Sequence, residues 1–347
     1  MTALHFGAGA LGRGLIVPFL VSAGYSVTLV DADARLIAAL QRDGGYPLLE
    51  VRDDDAPPRQ RFVPIRGARS LADTDGVRAA VDQADLVTTA VRVENLPSVA
   101  ALIRVGLAQR HAPATVIACE NAYRASRLLA THVGPSESTS FLDAVVDRIC
   151  QSEWPVSPLV RAEQYAEWAV EASDNDEVPS SAARVGAFDA YFDRKRYLVN
   201  TTADALAFLG NPAGYRYLHE AASDDDLLAF CQPAFAELRS LLSTTYAWSE
   251  ADLAAYHARA LKRLARPELA RALDTVARDG SRKLNAEERF AAPALALLEA
   301  GNAPVGMAQL IGAISQYLGI SGDDLKERWA AHPHGEGLAA LVERSNA

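Results

Sequence analysis

A glycine-rich turn between a short apolar segment and a helical pattern most constrains how this chain can fold. Residues 3–6 are apolar and bounded by glycine, which predicts a buried strand. The turn Gly7–Gly12 has the spacing G-x-G-x-x-G, and apolar residues then recur at helical spacing over residues 15–20. A second apolar run, 27–30, ends on Asp31. Strand, glycine turn, helix, strand and acid in this order are typical of the nucleotide-binding half of a parallel α/β sheet.

Each part of this pattern has a physical role in holding a dinucleotide. Gly7 permits the tight turn, Gly9 lets the backbone approach a pyrophosphate, and Gly12 lets the helix pack against the strand. The helix start offers unpaired N–H groups to the phosphates. Asp31 lies 19 residues after Gly12, where a carboxylate accepts hydrogen bonds from a ribose 2′-OH and repels a 2′-phosphate. The pattern therefore predicts that the cofactor is NAD rather than NADP.

Two alternatives stay open for this segment. The turn can be an ordinary tight turn of an α/β protein with an exposed aspartate. Arg13 can contact the pyrophosphate or simply occupy the first helical turn. The predicted cofactor-binding residues of the segment are Gly7, Ala8, Gly9, Leu11, Gly12 and Asp31.

The hydrophobic pattern changes character about halfway along the chain. A length of 347 residues suggests two domains. Predicted strands alternate with helices up to residue 172, and a polar turn follows over 173–181. Beyond it leucine and alanine recur at helical spacing. We predict an α/β Rossmann-type N-terminal domain, 1–185, followed by an all-α C-terminal domain, 186–347.

Composition excludes several classes of function. The formal net charge of −10 argues against a nucleic-acid partner, since phosphate backbones bind basic surfaces. Cys119, Cys150 and Cys231 are widely spaced, so neither a disulfide framework nor a metal site is expected. No apolar run reaches the ~20 residues of a membrane span. The N-terminus lacks the basic region of a signal peptide. We therefore expect a cytoplasmic protein with a small-molecule substrate.

The segment 193–200, Asp-Arg-Lys-Arg-Tyr-Leu-Val-Asn, carries the residues with the most reactive chemistry. Lysine can act as a general base when neighbouring cations or desolvation lower its pKa, and Lys195 lies between Arg194 and Arg196. Asn200 can donate a hydrogen bond to an oxygen on which negative charge builds. Three consecutive basic residues can also be a solvated turn, and spacing alone favours that alternative.

Several motifs in the same order resemble those of the polyol-specific long-chain dehydrogenases, the family of the mannitol dehydrogenases. The resemblance covers nearly the whole chain and implies an NAD-dependent oxidoreductase that moves a hydride between nicotinamide and a secondary alcohol of a polyol or sugar derivative. The motifs are residues 4–9 with 12–14, 117–121, 146–149, 167–168, 194–195 with 199–201, 215–220 and 276–283.

The resemblance also implies roles for individual residues. Lys195 is expected to be the general base of polyol oxidation and the acid of ketose reduction, while Asn200 steadies the oxyanion. Asn121, Asp147 and Arg278 are expected to line the sugar pocket, with Asn121 also at the cofactor. Alternatively, Asn121 caps a helix, Asp147 pairs with Arg148, and Arg278 pairs with Asp279 or with a helix end.

A phosphorylated substrate would need cations for its phosphate group. Arg282 and Lys283, together with Arg278, can hold a phosphate near a helix start. The chain length favours the branch of the family that uses phosphorylated substrates, whereas the sequence Arg-Asp-Gly-Ser at 278–281 is closer to the other branch. Ion pairing of Arg282 and Lys283 at the surface is the alternative.

One position departs from the family pattern of lysine, four residues, asparagine, two residues and histidine. Lys195 and Asn200 keep their spacing, but Ala203 stands where the histidine is expected. Losing that group should cost roughly 2–4 kcal/mol of transition-state stabilisation if nothing replaces it. Asp204 is one residue further on, about 100° round a helix, and cannot simply substitute.

Three interpretations follow from Ala203. Another histidine, His219 or His257, can take over the role. The enzyme can act on an altered substrate. The redox step can also be lost, which leaves a protein that only binds the dinucleotide, and an epimerase with tightly held NAD is a further enzyme alternative.

Overall fold

A computed structural model describes residues 1–53, 56–108, 110, 112–136 and 138–345. Their contacts divide the chain into two compact units, Met1–Tyr191 and Phe192–Ala347. The boundary that the sequence predicts, between residues 185 and 186, falls six residues before this division. Among the described helices, none is long and apolar enough to cross a membrane.

The first unit is built on a six-stranded sheet in which every paired strand is parallel, in the order β5-β2-β1-β6-β7-β8. This order places β1, which precedes the glycine turn, at the centre of the sheet. The described strands of the unit are β1 Thr2–Phe6, β2 Ser26–Asp31, β3 Gly45–Val51, β4 Arg59–Pro64, β5 Gly67–Ser70, β6 Leu86–Thr89, β7 Ala114–Ala118, β8 Thr139–Phe141, β9 Ala144–Asp147, β10 Cys150–Ser152, β11 Val160–Glu163, β12 Glu167–Glu171 and β13 Ala183–Val185.

The parallel sheet is buried on both faces, as its apolar strands predict. Leu4 and Phe6 belong to one apolar cluster, whereas Ala3 and Leu29 belong to another. The unit also contains a π-helical turn, Gly12–Ile16, and a 3₁₀ turn, Val93–Asn95. Its helices are α1 Val17–Ser22, α2 Ala34–Asp43, α3 Thr74–Gln83, α4 Leu96–Ala108 and α5 Ala125–Val133.

Two smaller sheets complete the first unit. β3 and β4 pair antiparallel and form a hairpin. They join β10 and β11 in a four-stranded sheet of order β10-β11-β3-β4, while β13, β12 and β9 form a three-stranded one.

The second unit is helical, and the prediction of a Rossmann-type domain followed by a helical domain is confirmed. An isolated β-bridge between Tyr217 and Ala272 is a local exception. A second π-helical turn, Arg196–Asn200, lies between the first two helices. The helices are α6 Phe188–Lys195, which begins before the division, α7 Thr201–Gly210, α8 Leu218–Ala221, α9 Asp225–Tyr246, α10 Glu250–Leu264, α11 Leu273–Ala277, α12 Gly280–Lys283, α13 Ala291–Glu299, α14 Val305–Leu318, α15 Gly322–Trp329 and α16 Gly335–Ser345.

Helix α7 is the central helix of the second unit. Every residue in it except Leu209 is buried, and it packs against α8, α9, α11 and α14. A helix surrounded on all sides needs small or apolar side chains wherever no polar partner is at hand, and α7 supplies them with Ala203, Ala205, Ala207 and Gly210. Position 203 therefore lies on an almost completely buried helix.

Substituting Gly210 tests this packing. A methyl group there would lie 2.8 Å from the Ala221 Cβ and 3.1 Å from the Leu273 Cδ1. We expect Gly210→Ala to lower the free energy of unfolding by about 1–3 kcal/mol through overpacking, measured by urea denaturation. In the control Gly337→Ala on α16, the methyl group would have no atom within 4 Å. The control should leave stability unchanged or raise it by up to about 1 kcal/mol. Equal stability of the two variants would contradict this account of α7.

Candidate functional site

The glycine turn after β1 is held by two close backbone approaches. Gly7 has φ +102°, in the region that favours glycine, and a methyl group there would lie 2.3 Å from the Ala90 carbonyl oxygen. A methyl group at Gly12 would lie 2.0 Å from the Gly7 carbonyl oxygen. At Gly9, by contrast, no atom lies within 4 Å of such a methyl group. Gly7 and Gly12 therefore allow close packing of the turn, whereas Gly9 borders open space.

The Asp31 carboxylate ties the glycine turn to the end of β2. Its Oδ2 accepts a hydrogen bond from the Ala8 N–H at 2.6 Å, and its Oδ1 accepts one from the Asp33 N–H at 2.9 Å. Asp33 in turn caps α2 by accepting from the N–H groups of Arg35 and Leu36. The carboxylate that the sequence assigns to a ribose is thus fixed in position by the backbone around it.

A cleft of about 480 Å³ opens at the carboxyl ends of β1, β2 and β6. In a parallel α/β sheet this edge is where ligands bind. The lining residues come from the glycine turn, the end of β2 and the segment after β6: Phe6, Gly7, Gly9, Val30, Asp31, Ala32, Leu71, Ala90, Val91, Arg92, Asn95, Ser98 and Val99.

Glu120 shapes one wall of this cleft, a role that the sequence did not predict. Its buried carboxylate accepts hydrogen bonds from the Thr89 hydroxyl at 2.8 Å, the Val91 N–H at 2.9 Å and the Arg92 N–H at 2.8 Å. Arg92 has φ +71°, an uncommon backbone conformation for a residue other than glycine. The signal available in the sequence was the position of Glu120, two residues after the last residue of the buried strand β7.

Arg13 packs inside the first unit. It is fully buried, and its guanidinium donates to the Ala8 carbonyl at 2.6 Å, to the Ser152 hydroxyl at 2.6 Å and to the Pro158 carbonyl. It also lies over the Tyr46 ring, 5.6 Å from the centroid. The structure therefore favours the packing role of Arg13 over a contact with pyrophosphate.

The segment with Lys195 and Asn200 contains a widened helical turn. α6 ends at Lys195, and in the π turn that follows, the Thr201 N–H bonds to the Arg196 carbonyl, five residues back. In an α-helix, residues five apart lie about 140° apart round the axis. A π-helical turn instead brings residues five apart onto one side. Lys195 and Asn200, both half-buried, therefore share a side of this turn.

The three basic residues at 194–196 do not form a solvated turn, so that alternative is wrong. Arg194 is buried, with its guanidinium 4.2 Å from the centroid of the Tyr256 ring and 4.9 Å from that of the Trp248 ring. The Arg196 guanidinium donates to the Glu287 carbonyl. Both arginines are thus held by the helical core on either side of Lys195.

A buried cluster of charges lies directly after Ala203. The Asp204 carboxylate accepts from Lys283 Nζ at 3.0 Å and from Arg289 Nη1 at 3.0 Å. Lys283 Nζ also donates to the Val276 carbonyl at 2.6 Å. Burial raises the pKa of Asp204 and lowers the pKa of Lys283, while each ion pair opposes the shift. Lys283 is therefore bound within the unit, which is not the surface pairing that the sequence offered as an alternative to phosphate binding.

The other predicted substrate residues lie in different surroundings. Arg278 is exposed, and no ion pair joins it to another described residue. Arg282 pairs with Glu288, as the surface alternative expects. Asn121 is exposed after β7, and Asp147 is buried at the end of β9. Asn121 and Asp147 belong to the first unit and the three cations to the second, so a shared sugar pocket stays a prediction.

The Arg148 guanidinium, next in sequence to Asp147, bonds to Glu50 and to two backbone carbonyls. Arg148 donates to Glu50 Oε1 at 2.7 Å, to the Gly14 carbonyl at 2.7 Å and to the Glu163 carbonyl at 2.8 Å. Its side chain is nearly inaccessible. Arg148 therefore joins the glycine-turn helix to the four-stranded sheet.

Two histidines were candidates to replace the residue missing at Ala203. The His219 ring stacks on that of Tyr217, with centroids 5.7 Å apart. His257 is buried, and its Nε2 lies 2.9 Å from the Thr202 hydroxyl while its Nδ1 lies 3.2 Å from Arg239 Nη1. Burial, together with the Arg239 charge, lowers the pKa of His257 to about 4. Of the two rings, that of His257 is the one hydrogen-bonded to α7 within the part of the chain that the structure describes.

No group of histidine, cysteine and acidic side chains among the described residues could hold a metal ion.

Comparisons with known proteins agree over both units. Residues 1–180 match the mannitol dehydrogenase Rossmann domain, and residues 187–328 match the mannitol dehydrogenase C-terminal domain. A mannitol-1-phosphate 5-dehydrogenase of Halalkalibacterium halodurans is 35% identical over 322 residues, covering 88% of this chain and 86% of that protein. One of Emericella nidulans is 33% identical over 341 residues, covering 93% and 87%.

Solved structures agree on the fold. Pseudomonas fluorescens mannitol 2-dehydrogenase, in a ternary complex with NAD and D-mannitol, superposes with a TM-score of 0.78 at 18% identity, covering 100% of this chain and 91% of that chain. A substrate-free D-sorbitol dehydrogenase gives 0.78 at 17% identity, covering 98% and 91%.

The depressed pKa of His257 predicts a pH dependence of stability. An unfolded histidine titrates near 6.5, so between that pH and about 4 the unfolded chain binds a proton that folded His257 excludes. The free energy of unfolding should therefore fall by about 1.4 kcal/mol per pH unit on acidification through this range. His257→Gln should remove this one-proton slope in urea denaturation between pH 6.5 and 5. A variant with the wild-type slope would show that His257 is not held neutral.

Proposed function

Because the chain belongs to the mannitol dehydrogenase family, we propose that it is an NAD-dependent oxidoreductase of polyols or their phosphates, in which the bound nicotinamide supplies or accepts the hydride. The observation that carries the proposal is the cleft at the end of β1, lined by both Asp31 and Gly9. A carboxylate there suits a ribose diol, and the missing side chain at Gly9 leaves room for a pyrophosphate. The residues of the cleft therefore fit NAD.

Lys195 and Asn200 are the proposed catalytic residues. During oxidation Lys195 Nζ accepts the proton of the substrate hydroxyl, and during reduction it returns that proton to the carbonyl oxygen. The Asn200 side-chain amide donates a hydrogen bond to the same oxygen as negative charge builds on it. The π turn supports this pairing, because it brings the two residues onto one side of the helix.

We propose that neither His257 nor Asp204 takes the place of the histidine expected at Ala203. His257 already contacts Thr202 and Arg239 through its two ring nitrogens. The Asp204 carboxylate is likewise occupied by Lys283 and Arg289. In this proposal the proton moves between the substrate oxygen and Lys195, while Asn200 stabilises the negative charge on that oxygen.

The proposed substrate class is a polyol phosphate. The relatives reported above that are about a third identical are mannitol-1-phosphate 5-dehydrogenases. Of the three cations that the sequence assigns to a phosphate, Lys283 is held by Asp204 and Arg282 by Glu288. Arg278 is exposed and has no ion-pair partner among the described residues. We therefore propose Arg278 as the phosphate-binding residue.

Replacing Lys195 tests the chemistry. Lys195→Ala should reduce kcat at least 1,000-fold, roughly the contribution of a positioned base and its charge. NADH binding, followed by fluorescence titration, should stay unchanged. Turnover is measured as NADH formation with D-mannitol and mannitol 1-phosphate, and Lys262→Ala, at an exposed position on α10, is the matched control.

Two results would count against the proposal. Wild-type turnover of Lys195→Ala would remove Lys195 from the mechanism. NAD binding by the wild type without turnover of any polyol or polyol phosphate would favour the alternative of a dinucleotide-binding protein without redox activity.

Replacing Gly9 tests the cofactor site separately. A methyl group at Gly9 meets no protein atom, so Gly9→Ala should keep the wild-type melting temperature. The methyl group occupies the space proposed for the pyrophosphate, so the Kd for NADH should rise at least tenfold. Gly67→Ala on β5 of the same sheet also meets no atom within 4 Å and should leave both quantities unchanged. Wild-type affinity of Gly9→Ala would show that the dinucleotide does not approach this turn.

A further inference from the structure

A chain of three side chains holds the π turn between Lys195 and Asn200. The Thr202 hydroxyl lies 3.0 Å from the Leu198 carbonyl inside the turn and 2.9 Å from His257 Nε2. On the far side of the ring, His257 Nδ1 lies 3.2 Å from Arg239 Nη1. Thr202 and His257 are both buried. α9 and α10, which carry Arg239 and His257, both pack against the turn.

Donor and acceptor chemistry gives this chain a single direction. A guanidinium can only donate, so Arg239 donates to His257 Nδ1, and the ring hydrogen resides on Nε2. His257 Nε2–H then donates to the Thr202 oxygen. The Thr202 hydroxyl hydrogen is left to donate to the Leu198 carbonyl. Every group in the chain has a partner of the correct kind.

The chain contacts the turn where its backbone geometry departs from an α-helix. π turns are rare and are frequently found at functional sites. Hydroxyl groups that bond to nearby carbonyls compete with regular helical bonding. Besides Thr202, the neighbouring Thr201 hydroxyl donates to the Arg196 carbonyl at 3.0 Å. Two hydroxyl groups thus stabilise the wider turn from successive positions.

His257 is suited to hold a fixed hydrogen bond. Its ring packs edge-on against Phe235, with centroids 4.8 Å apart. Besides Arg239, Glu250 is close, accepting from Arg239 Nε at 3.2 Å. Since the pKa of His257 lies near 4, the ring stays neutral, and its Nε2–H donor persists through the neutral pH range.

We propose that Thr202, His257 and Arg239 are positioning residues that hold the π turn and thereby keep Lys195 and Asn200 on one side of it. The catalytic part of this inference rests on the proposed function, whereas the structural part does not. If the turn relaxed to an α-helix, Lys195 and Asn200 would separate by about 140° round the axis. A displacement of that size removes the alignment on which proton transfer depends.

Thr202→Val tests the proposal, because valine keeps the shape of threonine and lacks the hydroxyl. Thr202→Ser keeps the hydroxyl and is the rescue variant. The matched control is Ser315→Ala on α14, where a buried hydroxyl also bonds the carbonyl four residues back, that of Ile311, at 2.8 Å. The measurements are amide hydrogen exchange of residues 196–204, kcat and KM for the polyol substrate, and the pH profile of kcat.

Thr202→Val should increase amide exchange in 196–204 at least tenfold and lower kcat by about 10- to 100-fold, with KM for NAD unchanged. Thr202→Ser should stay within about threefold of the wild type in kcat. Ser315→Ala should change neither the amide exchange of residues 196–204 nor kcat. If Thr202→Val does not fold, His257→Leu takes its place in the same comparison, with His257→Gln as its rescue.

Hydrogen exchange separates failure of this inference from failure of the proposed function. Unchanged exchange and unchanged kcat in Thr202→Val overturn the inference and leave the proposed function intact. Faster exchange in an enzyme without turnover on any polyol upholds the structural part and overturns the function. Loss of a limb of the pH profile in His257→Gln would make His257 an acid–base group and also overturn the positioning role.

Discussion

The relative placement of Lys195 and Asn200 depends on one widened turn, closed by the hydrogen bond from the Thr201 N–H to the Arg196 carbonyl. This bond spans five residues, so the turn it closes holds one residue more than an α-helical turn. The extra residue decides which side chains of the segment face the same way, and it brings Lys195 to the side of Asn200. α7 continues from this turn into a fully packed environment, which leaves the turn little freedom to relax.

A π turn also follows the glycine fingerprint in the first unit, at Gly12–Ile16. There the surrounding contacts differ, since Arg13 inside the turn is buried and donates to the Ala8 carbonyl and the Ser152 hydroxyl. In each unit, the irregular turn occurs where the sequence places the chemistry, and buried polar side chains fix it. An irregular backbone conformation persists only when the surrounding contacts hold it in place. The buried polar side chains at both turns supply such contacts.

The sequence predicted those parts of the fold that depend on residues close together in the chain. The strand before Gly7, the glycine turn and Asp31 lie within a short stretch, and their spacing defines the nucleotide half of the sheet. The link between Lys283 and Asp204 spans 79 residues, and that between His257 and Thr202 spans 55. No periodicity encodes such pairs. The sequence therefore suggested that Lys283 binds a phosphate, whereas in the structure its ammonium group is ion-paired with Asp204.

The substitution at Ala203 is best understood together with its neighbour. Moving a polar group from position 203 to position 204 rotates it by about 100° round the helix. In this chain the group at 204 is a carboxylate, and at that angle it meets Lys283 and Arg289 within the core. A buried carboxylate without partners would cost several kcal/mol, so the two cations are what make Asp204 tolerable at this position. α7 therefore carries a buried ion cluster one residue after Ala203, and this cluster ties α7 to the segment 283–289.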